Sequence, residues 1–178
     1  MTDQSTSTTL LLTGRSVSDK VQFWFGVGLG SGLLPKAPGT YGSLVALLFT
    51  PLMLWLGLGY SLLFCALLAL VGVPICSKTA QIYGVHDDGR IVFDEWAGQS
   101  ISLLPVVWFA TSTDLSTEGI LLMTFTSFVL FRLFDVLKPQ PIGWLDQHVH
   151  GGLGIMLDDL LAGVMAALVL WTASTQLL

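Results

Sequence analysis

Five carboxylates stand where apolar runs of this chain begin or end. Asp94 and Glu95 precede an uncharged run from Trp96 to Thr113, Asp135 follows one from Gly119 to Phe131, and Asp158 and Asp159 precede one from Leu160 to the C-terminus. Asp94 and Asp158 each stand where a helix would start, and acids are favourable there because unpaired amides and the helix dipole face them. Taken alone, either is a cap. That account fails at Asp135, which sits at the C-terminal end of its run, where the dipole disfavours negative charge. It needs a cation: Arg132 three residues earlier, or a divalent ion shared with the other acids. Ionisable groups at membrane depth usually line a bundle interior and mark function. This favours an oxygen-ligated magnesium-type site over a plain ion-pair network. Adjacent acids on a helix point about 100° apart, so Asp94/Glu95 and Asp158/Asp159 need not all be ligands.

Lys36, Arg132 and Lys138, with a Gly151-Gly152-Leu153-Gly154 turn, could neutralise and cradle a phosphoryl group beside such an ion. A single lysine there is more often an anchor to anionic headgroups. Arg132 differs, because it closes an apolar segment and needs a buried partner. His148 and His150 lie two apart in a polar loop and are too few to make a zinc site, so each reads as a solvated histidine. Cys65 and Cys76 fall in apolar stretches without metal or disulfide spacing. The residues six beyond them are Val71 and Ile82, which excludes the Cys-x5-Arg pattern of cysteine phosphatases. There is no Asp-x-Asp pair and no Walker A sequence, Asp88-Gly89 lacks the rest of a CDP-alcohol phosphotransferase pattern, and the Gly26 to Ser31 stretch fails the dinucleotide fingerprint at its last glycine.

The elements that must position these residues are dictated by composition. Of 178 residues 53% are hydrophobic and 11% charged, far from the roughly one-quarter charge of soluble domains. So much apolar surface calls for a bilayer. The net charge of -5 and the absence of a basic stripe exclude nucleic acid as a partner. From Ala37 to Ser77 no residue is charged; as helix this run would extend about 60 Å, two crossings of about 30 Å. Gly57-Leu58-Gly59-Tyr60 is the place to reverse. The sequence therefore predicts an all-α, multi-span membrane bundle forming one domain over 1–178, with crossings near 43–57, 60–77, 96–113, 119–131 and from 160 onward. Residues 1–15 read as a disordered tail. Val21 to Leu34 is too short to cross and reads as an interfacial or re-entrant helix, with glycines spaced for close packing. Five crossings place all seven basic residues on one side or at its interface, which by the positive-inside rule is cytoplasmic.

Three blocks, Gly30 to Leu44 (GSGLLPKAPGTYGSL), Asp88 to Ser100 (DGRIVFDEWAGQS) and Phe131 to Val164 (FRLFDVLKPQPIGWLDQHVHGGLGIMLDDLLAGV), resemble the bacterial phosphatidylglycerophosphatase A family. The resemblance implies a bacterial inner-membrane enzyme that removes the terminal phosphate of phosphatidylglycerophosphate with Mg, its site facing the cytoplasm. On that reading Asp94, Glu95, Asp135, Asp158 and Asp159 bind metal or activate water, and Lys36, Arg132 and Lys138 bind phosphate. Thr40 and Ser43 donate hydrogen bonds, and His150 is the candidate proton donor to the leaving oxygen. An aspartyl-phosphate route is the alternative to direct attack by water. The alternative from another class is an ion or proton-coupled transporter using the same carboxylates, against which stands their position at span ends rather than at the midplane.

Overall fold

A computed structural model describes residues 8–85 and 88–177. Among them the regular elements are all helical. Of the expected tail, residues 1–7 lie outside the described residues, whereas 8–12 are helical and Leu12 is buried with Phe23, Val27 and Ile82. An apolar LLL triplet finds a core to bury in, and burial outweighs the polar composition around it.

Helix α1 (Val17–Gly26) starts at Ser16, whose side chain accepts from the Asp19 N–H, an ordinary N-cap. It passes into a 3-10 stretch (Gly28–Leu33) broken by left-handed backbone at Leu29 and Gly30. The glycines here are set by close approach: a Cβ on Gly26 would lie 2.1 Å from Thr79 Oγ1, and one on Gly32 would lie 2.2 Å from Arg90 O.

Helix α2 (Pro38–Ala46) runs through a 3-10 turn (Leu47–Phe49) into α3 (Thr50–Tyr83). Although its hydrogen bonding reads as continuous, α3 is a hairpin. Gly57 has φ 71° and ψ 172°, a conformation open only to glycine at low cost. The Ser61 hydroxyl donates to Met53 O at 3.0 Å, and the Phe49 and Phe64 rings are 5.4 Å apart. On a straight helix those pairs would be separated by about 12 and 22 Å. The reversal thus falls where the glycines predicted it. Pro51 lies in the first turn of α3, where its missing N–H costs nothing.

Helices α4 (Phe93–Ser102) and α5 (Leu104–Ser112) join through Leu103, with Pro105 opening the second. Helix α6 (Thr117–Leu137) is capped by Ser116 and closed by Lys138 in left-handed geometry. A short α7 (Ile142–His148) precedes α8 (Gly151–Leu177). Helix α8 is central, packed on α4, α3 and α6. Half of its most apolar window is buried inside the bundle, against 17% for the other long helices. Three stretches are long and apolar enough to cross a membrane: Pro38–Tyr83, which doubles back at Gly57, Thr117–Leu137 and Gly151–Gln176. Leu121, Leu122, Phe125 and Val136 of α6 point outward, a face that lipid solvates and water would not.

The last helix begins at Gly151, nine residues before the expected start at 160. The acids that seemed to mark its beginning lie inside it: Asp158 pairs with Lys138, and Asp159 is buried beside Asp94 and Glu95. Asp158 is therefore no cap. Gly152 and Gly154 belong to the first turn of α8 rather than to a loop. A Cβ on Gly152 would lie 2.2 Å from Val73 O, so its smallness serves helix packing.

Candidate metal centre

Helices α4 and α8 cross at glycine. A Cβ on Gly163 would stand 2.2 Å from Gly98 O, and one on Gly98 would stand 2.5 Å from Asp159 O. The two backbones therefore touch, which side chains at these positions would prevent. Gly98 is one turn from Asp94 and Glu95, and Gly163 is one turn from Asp159. The contact brings all three acids to one point: Asp94, Glu95 and Asp159 each offer a carboxylate oxygen, and these oxygens lie within 4.8 Å of one another. All three residues are buried, Asp159 to 3% exposure.

Arg132, in the penultimate turn of α6, faces this cluster. Its Nη1 is 2.8 Å from Asp135 Oδ2 and 3.7 Å from Glu95 Oε1, and it donates to Ser43 Oγ at 3.3 Å. Asp135 is within electrostatic reach of both Glu95 and Asp159. The cation that Asp135 required is thus Arg132, yet the carboxylate also looks into the acidic cluster. Ser43 Oγ in turn donates to Gly39 O at 2.9 Å. A Cβ on Gly39 would lie 2.2 Å from Glu95 Oε1 and 3.1 Å from Arg132 Nη1, so only glycine lets α2 press against this pair.

The neighbours Asp158 and Asp159 part company. Lys138 Nζ donates to Asp158 Oδ2 at 2.8 Å, brought there by the left-handed turn that ends α6. Asp159, rotated about 100° around α8, enters the cluster. Lys36 is exposed in the loop before α2, with φ 66°, and forms no ion pair among the described residues. Thr40 is half-buried beside Gly39. His150 is exposed in the link between α7 and α8, outside the cluster. Sequence reasoning overlooked Gly39, Gly98 and Gly163. The available signal was a glycine one turn from an acid on each of α4 and α8.

The donor set suits a hard divalent cation. It is made of carboxylate oxygens without Cys or His, and Glu95 Oε2 and Asp159 Oδ2 are buried without a hydrogen-bond partner. Orphaned acceptors of this kind are costly unless a cation or proton satisfies them. A cavity of about 930 Å³ lies on another flank of α4, lined by Phe93, Trp96, Leu48, Phe64, Leu67 and Val71 among others, with Gln22 beside them. It offers no group for acid, base or metal chemistry.

Comparison with known proteins places the chain among phosphatases. A family profile described as phosphatidylglycerophosphatase A matches residues 24–174. The Escherichia coli (strain K12) protein named phosphatidylglycerophosphatase A is 43% identical over 150 residues, covering 82% of this chain and 78% of that protein. Its Haemophilus influenzae namesake is 44% identical over 146 residues, covering 82% and 83%. A Bacteroides thetaiotaomicron relative, provisionally named a phosphatidylinositol-3-phosphatase, is 35% identical over 164 residues, covering 83% and 90%. No solved structure matches.

Proposed function

The chain belongs to the phosphatidylglycerophosphatase A family, and from that premise we propose that it hydrolyses the terminal phosphate monoester of phosphatidylglycerophosphate, giving phosphatidylglycerol and inorganic phosphate in phospholipid biosynthesis. The observation that carries this reading is the convergence of Asp94, Glu95 and Asp159 beside Arg132, buried among membrane-type helices. Uncatalysed monoester hydrolysis is so slow that the site must lower the barrier by about 20 kcal/mol or more. Charge at the phosphate oxygens is the largest resource for that task.

Asp94, Glu95 and Asp159 would hold the ion, which we take to be Mg. When bound, it supplies positive charge to phosphate oxygens and makes water a stronger nucleophile. Arg132 keeps its Nε without a hydrogen-bond partner, so a donor remains for the phosphate. Asp135, held by Arg132, orients the attacking water and accepts its proton. Thr40, Ser43, Lys36 and Lys138 complete the phosphate-binding rim, with Asp158 fixing Lys138. His150 protonates the leaving glycerol oxygen. The site faces the cytoplasm at the surface of the inner membrane, in a chain that crosses five times. There the acyl chains of the substrate stay in the leaflet while its headgroup meets the acids and bases.

The test is phosphate release by the purified protein from phosphatidylglycerophosphate. Turnover should vanish on exhaustive chelation and return with Mg better than with Zn. Persisting turnover after chelation would remove the ion. Phosphatidylinositol 3-phosphate serves as the competing substrate, and faster release from it would reassign the headgroup. Ion flux through proteoliposomes without any phosphate release would favour a transporter.

A further inference from the structure

One buried polar group of α4 takes no part in the site described above. Gln99, Ser102 and Ser127 are fully buried and bonded to one another across the α4–α6 interface. Gln99 Nε2 donates to Ser102 Oγ at 2.8 Å and to Ser127 Oγ at 3.1 Å, the two hydroxyls are 2.8 Å apart, and Ser102 Oγ also donates to Gln99 O. The surroundings are apolar: Leu103 and Val106 are buried there and Leu130 packs against them.

The cluster has a fixed relation to the acids. On α4, Glu95, Gln99 and Ser102 follow at i, i+4 and i+7, one stripe of the helix. Glu95 faces Arg132, Gly98 faces Phe131 and Gln99 meets Ser127, so α4 and α6 run antiparallel with a single register. Sliding one helix by a residue moves it about 1.5 Å and turns it about 100°. Either change would carry Glu95 away from Arg132. Apolar helix faces in lipid do little to forbid such a slide, since tails are as apolar as leucine. A buried polar pin opposes it: Gln99 Oε1 already lacks a partner in this register, and a slide would also break the two bonds that reach Ser127 Oγ across the interface.

We propose that Gln99, Ser102 and Ser127 form a positioning cluster that fixes the register of α4 against α6 and so holds Glu95 against Arg132 and Asp135. Gln99 touches none of the reacting groups; it acts through Glu95. The kinetic part of the test rests on the phosphatase reading and the distance part does not.

Spin labels at position 89, in the loop four residues before α4, and at 136 on α6, both exposed, follow the entry of α4 relative to α6 in the full-length protein in bilayer discs. In Gln99→Leu the distance distribution should broaden or shift. kcat should fall at least about tenfold, since angstrom-scale misplacement is expensive, while KM stays within about twofold. Ser127→Thr in the otherwise wild-type chain keeps the hydroxyl and should leave both readouts at wild-type values within about twofold. Gln99→Leu with Ser127→Ala should be no slower than Gln99→Leu alone. Should Gln99→Leu fail to fold, Ser127→Ala carries the same expectations. A folded Gln99→Leu protein with unchanged distances, unchanged kcat, or a loss confined to KM overturns the proposal. If the wild type releases no phosphate, the distances alone decide.

Discussion

Asp158 and Asp159 are adjacent in sequence and have different partners, and this separates two kinds of acid in the protein. Asp158→Asn should keep turnover within about tenfold while lowering the thermal midpoint, because Lys138 loses its partner; Lys138→Met in the same chain should restore the midpoint. Asp135→Asn should be folded and slower by at least about 100-fold. If Asp135 served only to balance Arg132, the change would instead cost about 3 to 5 kcal/mol of stability. Adding Arg132→Gln would then recover it. Turnover and thermal unfolding of the four variants separate these accounts. The acids and Arg132 were legible in the sequence because charge in an apolar setting is conspicuous. The division between Asp158 and Asp159 was not, since it depends on the rotation of α8 and on how α6 ends.

Among the elements, the contact of α4 with α8 controls the site. Gly98→Val or Gly163→Val inserts side-chain atoms where backbone already lies within 2.5 Å of the new Cβ. Overpacking of this kind costs about 1 to 3 kcal/mol. Because the contact is one turn from the acids, activity should drop by at least about 100-fold even in protein that remains folded. Gly59→Ala is the control: nothing lies within 4 Å of its Cβ, and in a helix alanine should be neutral or stabilising by up to about 1 kcal/mol. Equal losses at 59 and 98 would contradict the crossing argument. The hairpin at Gly57 could be read from the sequence because an uncharged run twice the bilayer thickness must reverse, and glycine marks where. The start of α8 could not. Charges interrupt the apolar pattern at 158 and 159, and only tertiary partners explain why the helix continues through them.

For the whole molecule, composition fixed the class: too much apolar surface for water, hence helices that satisfy their own backbone groups. It also set the orientation proposed here, through the one-sided distribution of basic residues. Single cysteines at 90 and 114, with Cys65 and Cys76 replaced, should label from opposite faces of sealed cells. Labelling of both from the same side would end the five-crossing account. How α2, α4, α6 and α8 meet was not legible, because three glycines, at 39, 98 and 163, act by what they leave out. The central claim is that acids from α4 and α8 form one ion site that performs the hydrolysis. Its most direct test is phosphate release from phosphatidylglycerophosphate as Mg is titrated, comparing the wild type with Asp159→Asn at matched folding. The wild type should show a saturable Mg dependence. In the variant the midpoint should be raised at least about tenfold and the plateau lowered by at least about 100-fold. A folded Asp159→Asn protein that follows the wild-type curve would contradict the claim.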